Sequence, residues 1–69
     1  MTLDELRIEC GWSKLEMARQ AHMDFNTLNR AINGEYVSFN TADKLATAIS
    51  RKLGRSVAWQ TIEGLKVKT

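Results

Sequence analysis

Two short helical patterns lie on either side of a two-residue break at His22-Met23, and no other feature of the 69-residue chain restricts its fold as strongly. Ser13 and Glu16 form the S-x-x-E pattern of a capping box, in which each side chain satisfies a free backbone N–H at a helix start. A helix is therefore predicted to begin at Lys14. Three apolar residues along one side of that helix form its buried stripe: Met17, Ala18 and Ala21.

The second pattern begins directly after the break. Asp24 is a favourable N-cap, and Asn33-Gly34 is a favourable helix end. The apolar stripe between them consists of Leu28, Ala31 and Ile32. A turn this short forces the two helices to cross sharply, and the small side chain of Ala18 lets their backbones come close. The pattern predicts a helix-turn-helix over residues 13–34, an arrangement that typically presents its second helix to the major groove of DNA.

The flanking segments predict helices that complete the domain. Thr2 and Glu5 make a second capping box, and Gly11 ends the helix that follows it. The buried stripe of that first helix is Leu3, Leu6 and Cys10. A longer helix follows the helix-turn-helix and ends at Gly54. The candidates for its N-cap are Ser38 and Asn40, and its stripe is Ala42, Leu45, Ala46, Ile49 and Leu53.

The C-terminal segment predicts one more short element. A fifth helix is expected to begin at Ser56 and to bear Val57, Trp59 and Ile62. The tail, residues 65–69, alternates apolar and basic side chains, which only slightly favours a strand. The expected fold is therefore all-α: a single domain over residues 1–69, built as a compact bundle of four to five short helices with a tail at 64–69.

Residues 14–33 resemble the twenty-residue helix-turn-helix of the phage repressor and Cro-like family, also called XRE-like regulators. Apolar residues fall where that family has them, at Met17, Ala21, Met23, Leu28 and Ala31. The resemblance extends over residues 3–62 and implies a DNA-binding regulator with a phage repressor-like fold. Three positions depart from the family pattern: Lys14 replaces a frequent glutamine, His22 the usual turn glycine, and Phe25 a common polar base-reading residue.

Composition agrees with a small globular domain. Hydrophobic residues make up 43% of the chain and charged residues 26%, and no apolar run approaches the ~18 residues of a membrane span. The first residues lack the layout of a signal peptide, so we expect a cytoplasmic protein. The lone Cys10 is predicted to be a small core residue, because one cysteine cannot form an internal disulfide and His22 alone does not complete a zinc site.

Motifs for catalysis are missing from the sequence. It contains no nucleophile elbow, phosphate-binding glycine loop, paired acid motif or metal-ligand spacing. His22 is expected to be a turn residue, because histidine tolerates positive φ better than most residues. We therefore predict no enzymatic activity, no cofactor and no metal site.

Charge is distributed unevenly along the chain. Residues 1–43 contain four basic and seven acidic side chains, a net charge of −3, whereas residues 44–69 contain six basic and one acidic, a net charge of +5. A protein that binds DNA through its electrostatic field is expected to concentrate Lys and Arg on the binding face. The helix-turn-helix has only three, Lys14, Arg19 and Arg30. We expect a modest affinity, supplemented by helix N-termini and by Asn and Thr side chains.

Base contacts are predicted on the early, exposed part of the second helix of the motif, which presents side chains to base edges in the major groove. Asn matches adenine and Arg matches guanine in bidentate geometry. Phe25 has two interpretations, a core or staple residue at the first turn or an exposed ring that contacts a thymine methyl. For the polar residues the alternative is a solvated face. The predicted base-contacting residues are Phe25, Asn26, Thr27, Asn29 and Arg30.

Phosphate contacts are predicted at two places. Lys14 lies at the start of the first helix of the motif, and the resemblance implies a phosphate-gripping loop after the second helix. Asn33 has an alternative role in ending its helix, and Ser38 has one in capping the next. The predicted phosphate-contacting residues are Lys14, Asn33, Tyr36, Ser38 and Asn40.

Apolar residues near the C-terminus exceed what a small bundle needs to close its core. Two copies reading half-sites about one helical turn apart would gain affinity and specificity, so we expect a two-fold homodimer on a pseudo-palindromic operator. The predicted interface residues are Trp59, Ile62, Leu65 and Val67. The basic residues of the C-terminal half could equally contact an acidic protein partner. These residues are Arg51, Lys52, Lys66 and Lys68.

Two functions remain open. The first is a sequence-specific, double-stranded DNA-binding transcriptional regulator, most similar to a small phage or mobile-element repressor. The second is a protein-interaction module on the same scaffold: an antirepressor, a modulator of another, larger repressor, or the antitoxin of a toxin pair, with DNA binding secondary. Asn29 and Arg30 at groove-reading positions favour the first, whereas the weakly basic reading face keeps the second open.

Overall fold

Short capped helices account for most of the described structure. The computed structural model describes residues 1–68, and Thr69, the last residue of the predicted alternating tail, lies outside the described residues. Residues 1–68 contain the helices α1 Leu3–Cys10, α2 Lys14–Gln20, α3 Phe25–Ile32 and α4 Phe39–Leu53. Two short strands, β1 Tyr36–Val37 and β2 Lys66–Val67, pair in parallel. The predicted helical fold with its helix-turn-helix is confirmed, and this small strand pair is added to it.

One predicted capping box forms completely and the other forms only in half. At the start of α1, the Glu5 N–H donates to Thr2 Oγ1 at 3.2 Å and the Thr2 N–H donates to Glu5 Oε1 at 2.8 Å. At the start of α2, the Glu16 N–H donates to Ser13 Oγ at 3.1 Å. The Glu16 carboxylate, however, accepts from Gln20 Nε2 at 2.6 Å, one turn further along the helix. The predicted reciprocal half of the Ser13 box was therefore wrong.

The longest helix has a single clear N-cap. The Thr41 N–H donates to Ser38 Oγ at 3.2 Å, whereas Asn40 lies inside the first turn of α4. Of the two candidates, Ser38 is therefore the cap. The helix runs for 15 residues and ends at Gly54, as predicted.

Three of the helices end in the same left-handed turn, the Schellman motif, in which two successive N–H groups bond back to helix carbonyls. The positive-φ residues after α1, α2 and α3 are Gly11, His22 and Gly34, with φ of 76°, 56° and 82°. After α2, the His22 N–H donates to the Arg19 carbonyl at 3.2 Å and the Met23 N–H to the Ala18 carbonyl at 3.0 Å. His22 is the one non-glycine residue with positive φ within residues 1–68. The predicted turn role of His22 is confirmed.

The core lies where the helix-turn-helix packs on α1 and α4. The predicted stripes of the four helices are buried, except that Ile32 and Leu53 are half-buried at its edge. Cys10 belongs to this core, as predicted, and desolvation raises the pKa of its thiol. The largest fully buried side chains are Met17, Leu28, Leu45 and Ile49.

The C-terminal segment does not form the predicted fifth α-helix. In place of a helix capped by Ser56, a single 3₁₀ turn, Trp59–Thr61, follows Ala58. The cause is a tertiary contact, because Ser50 Oγ on α4 accepts from the Val57 N–H at 2.9 Å and also lies 3.2 Å from the Val57 carbonyl. The Ser50 hydroxyl proton has the Ala46 carbonyl, at 2.7 Å, as its nearer acceptor. The bond from the Val57 N–H therefore holds Val57 in an irregular link, and one turn of helix follows before Ile62 enters the core.

The tail pairs with the segment that follows α3. Tyr36 is opposite Lys66 and Val37 is opposite Val67, and the Lys68 N–H donates to the Val37 carbonyl at 2.8 Å. The slight preference of the tail for a strand is thus confirmed at Lys66–Val67. The partner strand lies in what the sequence predicts as a loop.

We expect His22→Gly to stabilise the fold by about 0.5 to 1 kcal/mol, because a left-handed backbone costs an L-residue roughly 1 to 2 kcal/mol and the higher unfolded-state entropy of glycine offsets part of the gain. Gly11→Ala is the matched control, since an added Cβ there meets nothing within 4 Å and reports the backbone cost alone. Urea unfolding of the three proteins measures both changes. A His22→Gly variant less stable than the parent would contradict the strain at this turn.

Candidate nucleic-acid interface

The polar edge of α3 faces away from the core. Leu28 and Ala31 are buried, whereas Asn26 and Arg30, four residues apart, are exposed on the opposite side of the helix. Asn29 lies at the border and is half-buried. Within residues 1–68, Arg30 forms no ion pair, and neither asparagine uses its side-chain amide in a hydrogen bond. Their donors and acceptors are therefore available to a partner.

Phe25 lies on the surface. Its side chain is 43% exposed, although it is the first residue of α3. Of the two interpretations of this residue, the core or staple position is therefore wrong. An exposed ring at the tip of the helix has the chemistry for contact with an apolar group such as a thymine methyl.

The first turn of α3 contains an internal side-chain hydrogen bond. The Thr27 hydroxyl donates to Asp24 Oδ1, and this bond, with a smaller contribution from the charge of Arg30, holds the pKa of the Asp24 carboxyl below its ordinary value. Thr27 is half-buried, and its hydroxyl proton is already bonded to Asp24. Of the predicted base-contacting residues it is therefore the least available for a hydrogen bond to DNA. Asp24 is the N-cap residue, but it caps through its position and not through a side-chain bond to the backbone.

Lys14 is placed where its charge does not help its own helix. It is the first residue of α2, where the helix dipole is positive and a cation is unfavourable. Its side chain is exposed and forms no ion pair to residues 1–68. An anion bound at this helix start would relieve the unfavourable interaction, which agrees with the predicted phosphate contact.

The loop between α3 and α4 presents the other predicted phosphate contacts. Asn33, Tyr36 and Asn40 are exposed. The Ser38 hydroxyl is already occupied, because it accepts from the Thr41 N–H and lies 3.0 Å from Thr41 Oγ1, to which it donates. At Ser38 the capping role is therefore the one that the structure has. An anion here would meet the free backbone N–H groups of the first turn of α4.

Comparison with known protein families identifies the family of this chain. The family model described as Helix-turn-helix, of the XRE type that includes phage repressors and Cro-like proteins, matches residues 3–60. The chain belongs to this family. Comparison with curated proteins and with solved structures gives no match. The family is one of DNA-binding regulatory domains, and α3 is the second helix of the motif, which corresponds to the recognition helix of such domains.

The helix-turn-helix protein uses its C-terminal apolar residues differently from the prediction. Ile62 is 4% exposed and belongs to the core, so its assignment to an interface was wrong. Leu65 and Val67 are half-buried, with Leu65 against the core and Val67 in the strand pair. Trp59 is half-buried and meets Phe39 edge-on, with 5.9 Å between ring centroids and 89° between ring planes. Sequence reasoning missed Phe39, which is 58% exposed at the edge of the α4 stripe.

Two other features are absent from the described residues, a metal-ligand cluster and a candidate membrane span. No group of three or more His, Cys, Asp or Glu side chains within residues 1–68 is placed to hold a metal ion. No helix of that part of the chain is long and apolar enough to cross a membrane. The candidate site is the surface made by the start of α2, the polar edge of α3 and the loop before α4.

Replacing Asn29 or Arg30 with Ala is expected to cost roughly 1 to 3 kcal/mol of specific DNA binding and to relax base preference at one position, because each removes a bidentate group. The fold should be retained, since neither side chain is fully buried. Thr47→Ala, on the exposed side of α4, is the matched control and should leave binding unchanged. Fluorescence anisotropy with a selected duplex measures the effect. Unchanged affinity in both reading-edge variants would remove these residues from the interface.

Proposed function

We propose that this helix-turn-helix protein is a sequence-specific transcriptional regulator that reads an operator with α3. The observation that supports this most directly is the exposed polar edge of α3, where Asn26, Asn29 and Arg30 have hydrogen-bonding groups not used within the described chain. Because each base pair presents a different donor and acceptor pattern in the major groove, such side chains discriminate between sequences. Phe25 at the helix tip adds an apolar contact.

The proposed mode of action is repression, as by a small phage or mobile-element protein that occupies its operator and excludes polymerase. The reading face holds few cations, chiefly Lys14 and Arg30, so that the sequence-independent part of the affinity is small. Discrimination then depends on α3 more than on the electrostatic field. Such a protein releases random DNA readily and stays on its operator.

Selection from a pool of randomised duplexes, followed by gel shift, tests this function. The regulator should enrich one sequence motif and bind it at least a thousandfold more tightly than random DNA, the lower end of the range for specific binders. Gel shifts with DNA flanking the native gene, run with and without the proteins encoded beside it, extend the test. Failure to enrich any motif, together with a shift only when a neighbouring protein is present, would overturn the regulator in favour of a modulator.

The second candidate function, a modulator of another repressor or an antitoxin, is favoured by one observation. Phe39 and Trp59 form an aromatic pair that is open to solvent on the side of Phe39. Exposed aromatic residues are enriched at protein interfaces. A protein partner seated on this pair is the main competitor to a role in DNA binding alone.

We also propose that the regulator binds as a two-fold homodimer to a pseudo-palindromic operator. Two copies would read half-sites about one helical turn apart, and the affinity of one small module would be multiplied. A two-fold interface needs a self-complementary patch. Phe39 and Trp59 supply the exposed apolar area for it, since Ile62 is enclosed in the core.

The salt dependence of DNA binding is expected to be shallow. Few exposed cations surround the reading helix, so about three to five phosphates are neutralised per chain, which gives a slope of log affinity against log salt of roughly −3 to −5. Titrations between ~50 and ~300 mM salt measure it. A much steeper slope would show that cations of the C-terminal half, such as Arg51 and Lys52 at the far end of α4, also lie along the duplex.

Self-association should depend on the aromatic pair. Phe39→Ser removes an exposed ring with little loss of core packing and should abolish a weak, micromolar dimer in sedimentation velocity. Ile8→Ser, an equally exposed apolar residue on α1, is the matched control and should leave the dimer intact. A parent protein that remains monomeric at high concentration and binds an isolated half-site as tightly as the full site would rule out the dimer.

A further inference from the structure

The phosphate-gripping loop has no cation of its own. Between Arg30 and Asp43 the chain contains one charged side chain, Glu35, which is exposed and negative. The side chains of the loop therefore supply no positive charge to attract the DNA backbone. The fold compensates from elsewhere in the sequence, because the parallel pairing of β1 with β2 brings the basic tail to this loop.

Strand alternation decides which side chains share the outer face. Side chains of a strand point alternately to opposite faces. In β1, Tyr36 is exposed and Val37 is buried, and their partners in β2 follow the same order, with Lys66 exposed and Val67 half-buried. The alternation continues one residue further with Ser38 and Lys68, which are both exposed. The outer face is therefore formed by Tyr36 and Ser38 on one side and by Lys66 and Lys68 on the other.

The Lys66 side chain lies against the loop. Its Nζ lies 5.7 Å from the centroid of the Tyr36 ring, within the range of a cation–π interaction. The backbone of Lys68 is equally tied, since its N–H donates to the Val37 carbonyl at 2.8 Å. Neither lysine forms an ion pair within residues 1–68, so both charges are available.

The other basic residues of the C-terminal half are placed differently. Arg55 is occupied by Glu9 on α1, with its two terminal nitrogens 3.2 and 3.4 Å from the two carboxylate oxygens. Arg51 and Lys52 lie in the last turn of α4, roughly 20 Å along the helix from Ser38 at 1.5 Å per residue. Lys44 is closer, roughly 9 Å along α4 from Ser38, and is exposed within the second turn of that helix. The tail lysines differ from it because strand pairing brings them beside the loop itself.

We propose that Lys66 and Lys68 form a second row of DNA phosphate contacts beside the loop between α3 and α4. This inference rests on the proposed function of the chain as a DNA-binding regulator. The tail supplies the positive charge that the loop lacks, while the loop supplies the tyrosine ring and the N-terminus of α4. The contact is to the sugar-phosphate backbone, so it strengthens binding to every sequence equally.

The test compares Lys66→Gln/Lys68→Gln with Lys52→Gln, using a random-sequence duplex and the selected operator. The double variant should weaken binding to both duplexes by about tenfold per lysine at ~0.1 M salt and reduce the magnitude of the salt slope by about two. Lys66→Arg/Lys68→Arg keeps both charges and should retain the parent slope. Lys52→Gln, a surface charge removed from the far end of α4, should change neither quantity.

Protection of lysines from acetylation provides a measurement on the unaltered protein. Bound duplex should protect Lys66 and Lys68, but not Lys52, from an amine-reactive acetyl ester. An unchanged salt slope in a folded double variant, or acetylation of both tail lysines as fast with DNA as without it, overturns the inference and leaves the regulator standing. If the parent protein binds neither duplex, the proposed function itself fails and the inference fails with it.

Discussion

The crossing of α2 over α3 is the constraint on which the rest of the structure depends. The Schellman turn at His22 reverses the chain within a few residues, and the bond from the Met23 N–H to the Ala18 carbonyl fixes the direction in which α3 leaves. Burial of Met17 and Leu28 then locks the rotation of α3 about its axis. The packing that buries one side of α3 thereby sets where its polar edge points, so the core determines the position of the proposed reading edge.

Most of the helical framework was predictable because its determinants are local. A cap acts within about one turn, so Ser13 and Gly34 mark helix boundaries without knowledge of the fold. The same holds for the polar edge of α3, because at 3.6 residues per turn Leu28 and Arg30, two positions apart, lie on opposite sides of the helix. Phe25 could not be decided in this way, because a residue at the first turn of a helix lies near the boundary between core and solvent.

The C-terminal part was predicted less well because its determinants are distant in sequence. The Ser50 hydroxyl binds the Val57 N–H, and an irregular link with one 3₁₀ turn takes the place of the predicted fifth helix. No local sequence pattern shows that contact. The volume of the core explains why Ile62 is buried and not at an interface as predicted. Six of the buried core residues are alanines, which fill little space, so the domain needs a large apolar side chain from its last segment. Ile62, which exceeds the needs of the core when judged from the sequence, is therefore required inside the core.

The basic residues are also distributed differently in the fold than along the chain. Along the chain, the basic excess lies beyond residue 43 and away from the helix-turn-helix. In the fold, Arg55 is paired with Glu9, whereas the β1–β2 pairing moves Lys66 next to Tyr36 in the loop after α3. The two-residue strands contribute little to stability, since so short a pair is marginal by itself. Their effect is positional: they place Lys66 beside Tyr36 in the loop after α3, separate from the polar edge that we propose reads the base sequence.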